Sequence, residues 1–131
     1  MGIKFIWENK YNVGDEEINN QHQYIFQLGN EIQEAPLNDA GRYVLKLIRY
    51  SKKHFIHEEA HMKTIGFPEL ERHKELHDKL IAKLGDISAD FIKNEDEFAA
   101  FKNFLYQWLI DHILYEDKKY FDFANRQDDN K

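Results

Sequence analysis

The 131-residue chain has no cysteine, two prolines and no apolar run long enough to cross a bilayer. Without cysteine there are no disulfides, thiolate ligands or iron-sulfur clusters, so any metal must be held by imidazole and carboxylate. The start, MGIKFIWENK, lacks the long apolar segment of a signal peptide. The expected setting is therefore the cytoplasm, with no membrane insertion. There is also no block of like charge. The net charge of -6 comes from interspersed acids and bases, which argues against a nucleic-acid surface. Strand signals are too sparse for a sheet, and no low-complexity stretch or long-period repeat occurs. The length fits one domain over 1–131, large enough for its own core.

What the chain does have is apolar residues spaced alternately by three and four, in four successive segments. After an arm over 1–17 that carries Phe5, Trp7, Tyr11 and Val13, the first stripe is Ile18, His22, Ile25, Gly29 and Ile32, ended by Pro36. The second carries Val44, Leu47, Ser51, His54, Glu58, His61 and Ile65. Asn38 or Asp39 is its candidate cap and Gly66 its left-handed terminator. Pro68 suits the first turn of the third, whose stripe is Leu70, His73, His77, Leu80 and Leu84 and whose end falls near Gly85 or Ser88. The fourth begins near Asn94, with Glu97 completing a capping box, and turns Phe98, Phe101, Leu105, Trp108 and His112 inward. Residues 126–131 should fray. Short links favour antiparallel neighbours, so the expected fold is all-α, an up-down-up-down four-helix bundle with an N-terminal arm.

The informative residues are polar ones on buried stripes. His22, His54, Glu58, His73, His77 and His112 all take core-facing positions, and burying six ionisable groups without partners is costly. A single core histidine needs only a hydrogen bond. Five of them, donated by all four helices, call for a cation at the bundle axis. His73 and His77, like His54 and Glu58, are four residues apart, about 40° round a helix, so both members of each pair can reach one metal.

The stretch His57-Glu58-Glu59-Ala60-His61 also spells the H-E-x-x-H of zinc peptidases. That reading needs His57 and His61 as ligands, yet His57 points roughly 80° off the stripe and should be solvated. It also leaves the other histidines unused. Five imidazoles plus carboxylates exceed a tetrahedral zinc site and suit two octahedral ions such as iron or manganese. The set is richer in histidine than the Glu-x-x-His pattern of ferritin-like bundles.

These residues resemble the hemerythrins, in their single-domain bacterial form, the bacteriohemerythrins. The likeness covers nearly the whole chain: Trp7 and Val13-Gly14, Asn-Gln-His at 20–22 with Phe26, HFIHEE at 54–59 with Met62, Gly66-Phe67-Pro68, HKELH at 73–77, and WLIDHILYEDKKY at 108–120. The resemblance implies that His73, His77 and His112 bind one iron and His22 and His54 the other. It makes Glu58 and Asp117 bridges, together with an oxo or hydroxo group. Helix geometry alone would choose Glu116, about 40° from His112, over Asp117, about 140° away. The family pattern selects Asp117, which requires an approach from the flank or a locally distorted helix. His61 stands where the resemblance leads one to expect an apolar residue; it is either a donor to Glu58 or a polar residue at the bundle end.

The implied function is reversible dioxygen binding for transport, storage or delivery, with an oxygen-consuming protein of unknown identity as the expected recipient. Ile25, Phe55, Met62, Trp108 and Leu109 are candidates for the apolar wall of the gas site. A diiron peroxidase or oxidase is the alternative, and a zinc peptidase built on His57, Glu58 and His61 a more distant one.

Overall fold

The structure is a computed structural model that describes residues 4–86 and 92–129, with side chains through Arg126. It is an all-α four-rod bundle. The rods are α1 (Glu16–Glu34), α2 (Ala40–Ile65), α3 (Leu70–Asp86) and a compound fourth rod. This last runs from α4 (Glu95–Asp111) through a π-helical segment (His112–Asp117) into α5 (Lys118–Asp129). α1 packs on α2 and α4, α2 also on α3, and α3 meets the fourth rod through Arg72 with Glu116 and Lys83 over the Phe104 ring, so consecutive rods are neighbours with alternating direction. Ser88 lies outside the described residues.

Local chemistry sets the boundaries. Asp15 caps α1 by accepting from the Ile18 amide at 3.0 Å. The chain then leaves helical geometry at Ala35 ahead of Pro36. Asp39 precedes α2 but makes no side-chain cap bond, because a 3-10 turn over Leu37–Asp39 leads directly into the helix. Gly66 closes α2 at φ 71°, the left-handed conformation a glycine adopts without penalty. Pro68 sits in the turn before Leu70 rather than in the first helical turn expected of it. Asn94 caps α4 through the Glu97 amide at 2.8 Å, while the Glu97 carboxylate accepts from the Lys93 amide at 2.8 Å. The capping box therefore closes one residue earlier than its usual form.

The N-terminal arm lies across the bundle, pinned by two hydrogen bonds between Phe5 backbone and the Asn30 amide, 2.7 and 2.9 Å. The Phe5 ring packs on Phe26 and Tyr106. Its seat exists because residue 29 is glycine: a Cβ there would stand 2.5 Å from the Phe5 ring. Gly29→Ala should therefore unseat Phe5 and lower stability by about 1–3 kcal/mol, as forced overpacking does. Chemical denaturation of wild type and variant measures the difference.

Two apolar clusters fill the interior. The larger includes Ile25, Leu47, Phe55, Leu80, Leu105 and Leu109. The smaller, toward the other end, comprises Val13, Ile18, Met62, Phe67, Tyr120 and Phe121. The buried histidines, Glu58 and Asp117 fall between them along the helices, which places the site in mid-bundle.

Candidate metal centre

Each inward stripe delivers its polar residues to this level. His22, His54, Glu58, His73, His77, His112 and Asp117 are all buried, none more than 5% exposed. Their ligating atoms form two groups. One is Glu58, His73, His77, His112 and Asp117; the other is His22, His54 and Glu58.

The geometry within them has a pattern. Glu58 turns Oε1 to His73 Nε2 (3.1 Å) and His77 Nε2 (3.3 Å), and Oε2 to His54 Nε2 (3.3 Å). Asp117 likewise turns Oδ1 to His73 (3.1 Å) and His112 (3.1 Å), and Oδ2 to His22 (3.2 Å). Each carboxylate thus divides its two oxygens between a three-histidine set and a two-histidine set.

The donors also fit metal ions chemically. His77 Nε2 and His112 Nε2 stand 3.1 Å apart. Adjacent ligands about 2.1 Å from an octahedral ion are separated by about 3.0 Å. His22 Nδ1 and Nε2 and Glu58 Oε2 are buried with no hydrogen bond. Such atoms are expensive to desolvate, and a cation is the partner this donor set lacks.

Asp117 reaches the site because the helix changes type. Over His112–Asp117 the segment is π-helical. Its i→i+5 bonding returns the fifth residue to nearly the starting face, so Asp117 joins His112 instead of standing opposite it. Glu116, favoured by α-helical arithmetic, faces outward to the Arg72 guanidinium, which donates to both of its oxygens at 2.6 and 3.0 Å. That hydrogen bond lowers the Glu116 pKa.

Supporting residues hold the rings. His54 Nδ1 donates to Gln21 Oε1 at 2.6 Å and His77 Nδ1 to Glu59 Oε2 at 2.8 Å. Both bonds leave Nε2 free to face the centre. Phe55 stacks on His77 with centroids 3.7 Å apart, and Trp108 on His112 at 4.5 Å. Spacing along a single helix gives no sign of Gln21 or Glu59 in this role, since each bond crosses between helices. Their one signal is adjacency to a ligand candidate: Gln21 precedes His22 and Glu59 follows Glu58.

The other candidates divide. Ile25, Phe55 and Leu109 are buried in the larger cluster; Trp108, expected inward, is half-buried against it. Met62 belongs to the smaller cluster, on the opposite side of the site. His57 is exposed, 4.0 Å from Glu17, and His61 is half-buried and hydrogen-bonded through Nδ1 with the Tyr120 hydroxyl. His57 and His61 lie outside both groups of potential ligands among the described residues, so the H-E-x-x-H spacing does not assemble a zinc site.

Burial opposes charge throughout the site, but the imidazoles hold the Glu58 and Asp117 carboxyls well below the usual range. His73 loses to burial and gains more from Asp117 and Glu58, which raise it to about 9. His112 is lowered by burial. The metal-free protein should respond to pH accordingly. His73 contributes stability that is fully present below its unfolded pKa, about 6.5, and is lost as pH rises through 9. Glu58 and Asp117 contribute stability that is present above ordinary carboxyl values and lost in acid. The thermal midpoint of metal-free protein should thus fall from pH 6.5 to 9.5, whereas metal-loaded protein should hold its midpoint there because metal replaces the protons. Parallel melts across that range check the difference.

The model of the hemerythrin HHE cation binding domain matches residues 13–124 of this chain. The chain belongs to the hemerythrin family. It is 28% identical over 128 residues to a bacteriohemerythrin of Clostridium acetobutylicum, covering 90% of this chain and 99% of that one. A hemerythrin-like protein of Naegleria gruberi is 32% identical over 123 residues, 88% of this chain and 90% of its own. A wild-type hemerythrin crystal structure is similar with a TM-score of 0.77 and 27% identity, covering 88% of this chain and 94% of that one. The family match spans every element that supplies a buried imidazole or carboxylate to the centre.

Proposed function

We propose that this hemerythrin-family chain binds dioxygen reversibly at a pair of irons, as a carrier, store or delivery protein. The observation that carries this reading is the unequal division of donors. Glu58 and Asp117 each face both histidine sets, so they would be shared, while one set has His73, His77 and His112 and the other only His22 and His54. The ion on the two-histidine side would have one protein donor fewer and hence room for an external ligand. When bound, the irons and their oxo or hydroxo bridge supply the redox chemistry that lets dioxygen attach and leave.

The chain's own residues contribute placement and exclusion. Gln21 and Glu59 orient His54 and His77, and Phe55 and Trp108 stack on His77 and His112. Ile25, Phe55 and Leu109 supply an apolar interior that keeps water and stray protons away. No helix among the described residues is long and apolar enough to cross a membrane.

Anaerobic reconstitution with ferrous iron, followed by visible spectra before oxygen, after oxygen and after evacuation, tests the reading. A band that appears with oxygen and disappears on evacuation is expected. Irreversible bleaching with turnover of an added reductant would indicate an oxidase or peroxidase instead.

A further inference from the structure

The centre does not account for Ser51. It lies on the inward stripe of α2 between Leu47 and His54 and is 1% exposed. Its hydroxyl has no hydrogen-bond partner. A serine or threonine inside a helix ordinarily returns its hydroxyl to the carbonyl four residues back, as Thr64 of the same helix does to Ala60 at 3.0 Å. Ser51 makes no such bond to Leu47. Among the fully buried polar side chains that are described, His22 and Ser51 are the two whose polar atoms make no hydrogen bond at all. His22 belongs to the two-histidine set, and Ser51 is one helical turn from His54, the other member.

The surroundings narrow the choice of partner. α1 and α3 run opposite to α2 and the fourth rod, so one step from the histidines, away from the Tyr120 end, each rod offers its next inward residue. These are Ile25, Ser51, Leu80 and Leu109, all buried. Three are large and apolar and one is a small hydroxyl. That layer lies against the histidines with no protein acceptor for Ser51. A buried orphan hydroxyl costs stability, which is consistent with a partner that arrives from outside.

We infer that Ser51 is a ligand-binding residue: its hydroxyl donates a hydrogen bond to the outer, electron-rich atom of a small ligand such as dioxygen or azide held on the two-histidine side. This rests on the dioxygen reading and names a specificity residue for the same site. A donor at that position favours ligands that accumulate negative charge on their outer atom, and it slows their departure.

The test compares wild type, Ser51→Ala and Ser51→Thr after reconstitution with iron. Three readouts are taken: the thermal midpoint of metal-free protein, oxygen release by stopped flow, and azide affinity of the oxidised form from its visible band. For Ser51→Ala the metal-free midpoint should be unchanged or higher, since an unsatisfied hydroxyl is removed from a helix. Iron content should be unchanged, and oxygen release and azide dissociation about tenfold faster. Ser51→Thr, which keeps the hydroxyl, should restore the wild-type values. Wild-type kinetics in Ser51→Ala, or a lower metal-free midpoint with loss of iron, would overturn the inference. If wild type takes up iron but not oxygen, the dioxygen reading fails, and the azide arm still decides the role of Ser51.

Discussion

Glu58→Gln should abolish the proposed loading of two irons per chain, leaving none that survives desalting, with a loss of affinity of about a hundredfold or more. The substitution keeps the side chain's volume and removes one negative charge and one oxygen donor from the residue that both histidine sets share. Glu58 Oε1 faces His73 and His77 while Oε2 faces His54. An amide cannot offer an anionic oxygen to each side. The loss should therefore extend to both ions. Glu116→Gln and His57→Gln are the matched controls. Glu116 is engaged with Arg72 on the outer face and His57 is exposed near Glu17. Both variants should retain two irons. Elemental analysis of the reconstituted proteins makes the comparison, and equal iron in Glu58→Gln and wild type would remove Glu58 from the site.

Deleting Tyr115 should leave iron binding intact, whereas deleting Asn103 should abolish it. Tyr115 is 67% exposed and lies inside the π-helical segment. A π turn accommodates one more residue than an α turn does. Without Tyr115, Asp117 follows His112 by four positions, which an ordinary α-helix places about 40° away on the same face. The rod relaxes to α geometry while Tyr120 and Phe121 keep their seats in the smaller cluster. Asn103 lies within regular α4, so its loss rotates everything beyond it by about 100° and turns His112 and Asp117 off the axis. Iron content and circular dichroism of the two deletions distinguish these fates. Loss of iron in the Tyr115 deletion would mean that the π turn itself, and not merely the facing of Asp117, is required.

The four rods and the burial of most candidate ligands were legible in sequence because their determinants are local. The alternation by three and four placed His22, His54, Glu58, His73, His77 and His112 on inner faces, and each is buried in the structure. What escaped depends on geometry between or beyond regular helices. Asp117 is five residues from His112, a spacing that α-helical arithmetic assigns to the wrong face and that only the π turn corrects. Periodicity pointed to Glu116, while the family resemblance pointed to Asp117. Gln21 and Glu59 act across helix pairs, so no single stripe contains their partners. His61, half-buried at the Tyr120 end of the bundle, meets the Tyr120 hydroxyl of α5, 59 positions away, a contact that no single stripe contains. Trp108 shared the inward spacing, but the edge of the bundle leaves its large ring half-buried while it stacks on His112.

Electron paramagnetic resonance combined with iron counting on the reconstituted, air-oxidised protein measures the proposed pairing most directly. Ferric ions that share Glu58 and Asp117 and an oxo or hydroxo bridge couple their spins, so two irons per chain and no isolated ferric resonance are expected. One metal ion per chain, or two irons with the full signal of uncoupled ferric ions, would contradict a shared, carboxylate-bridged pair.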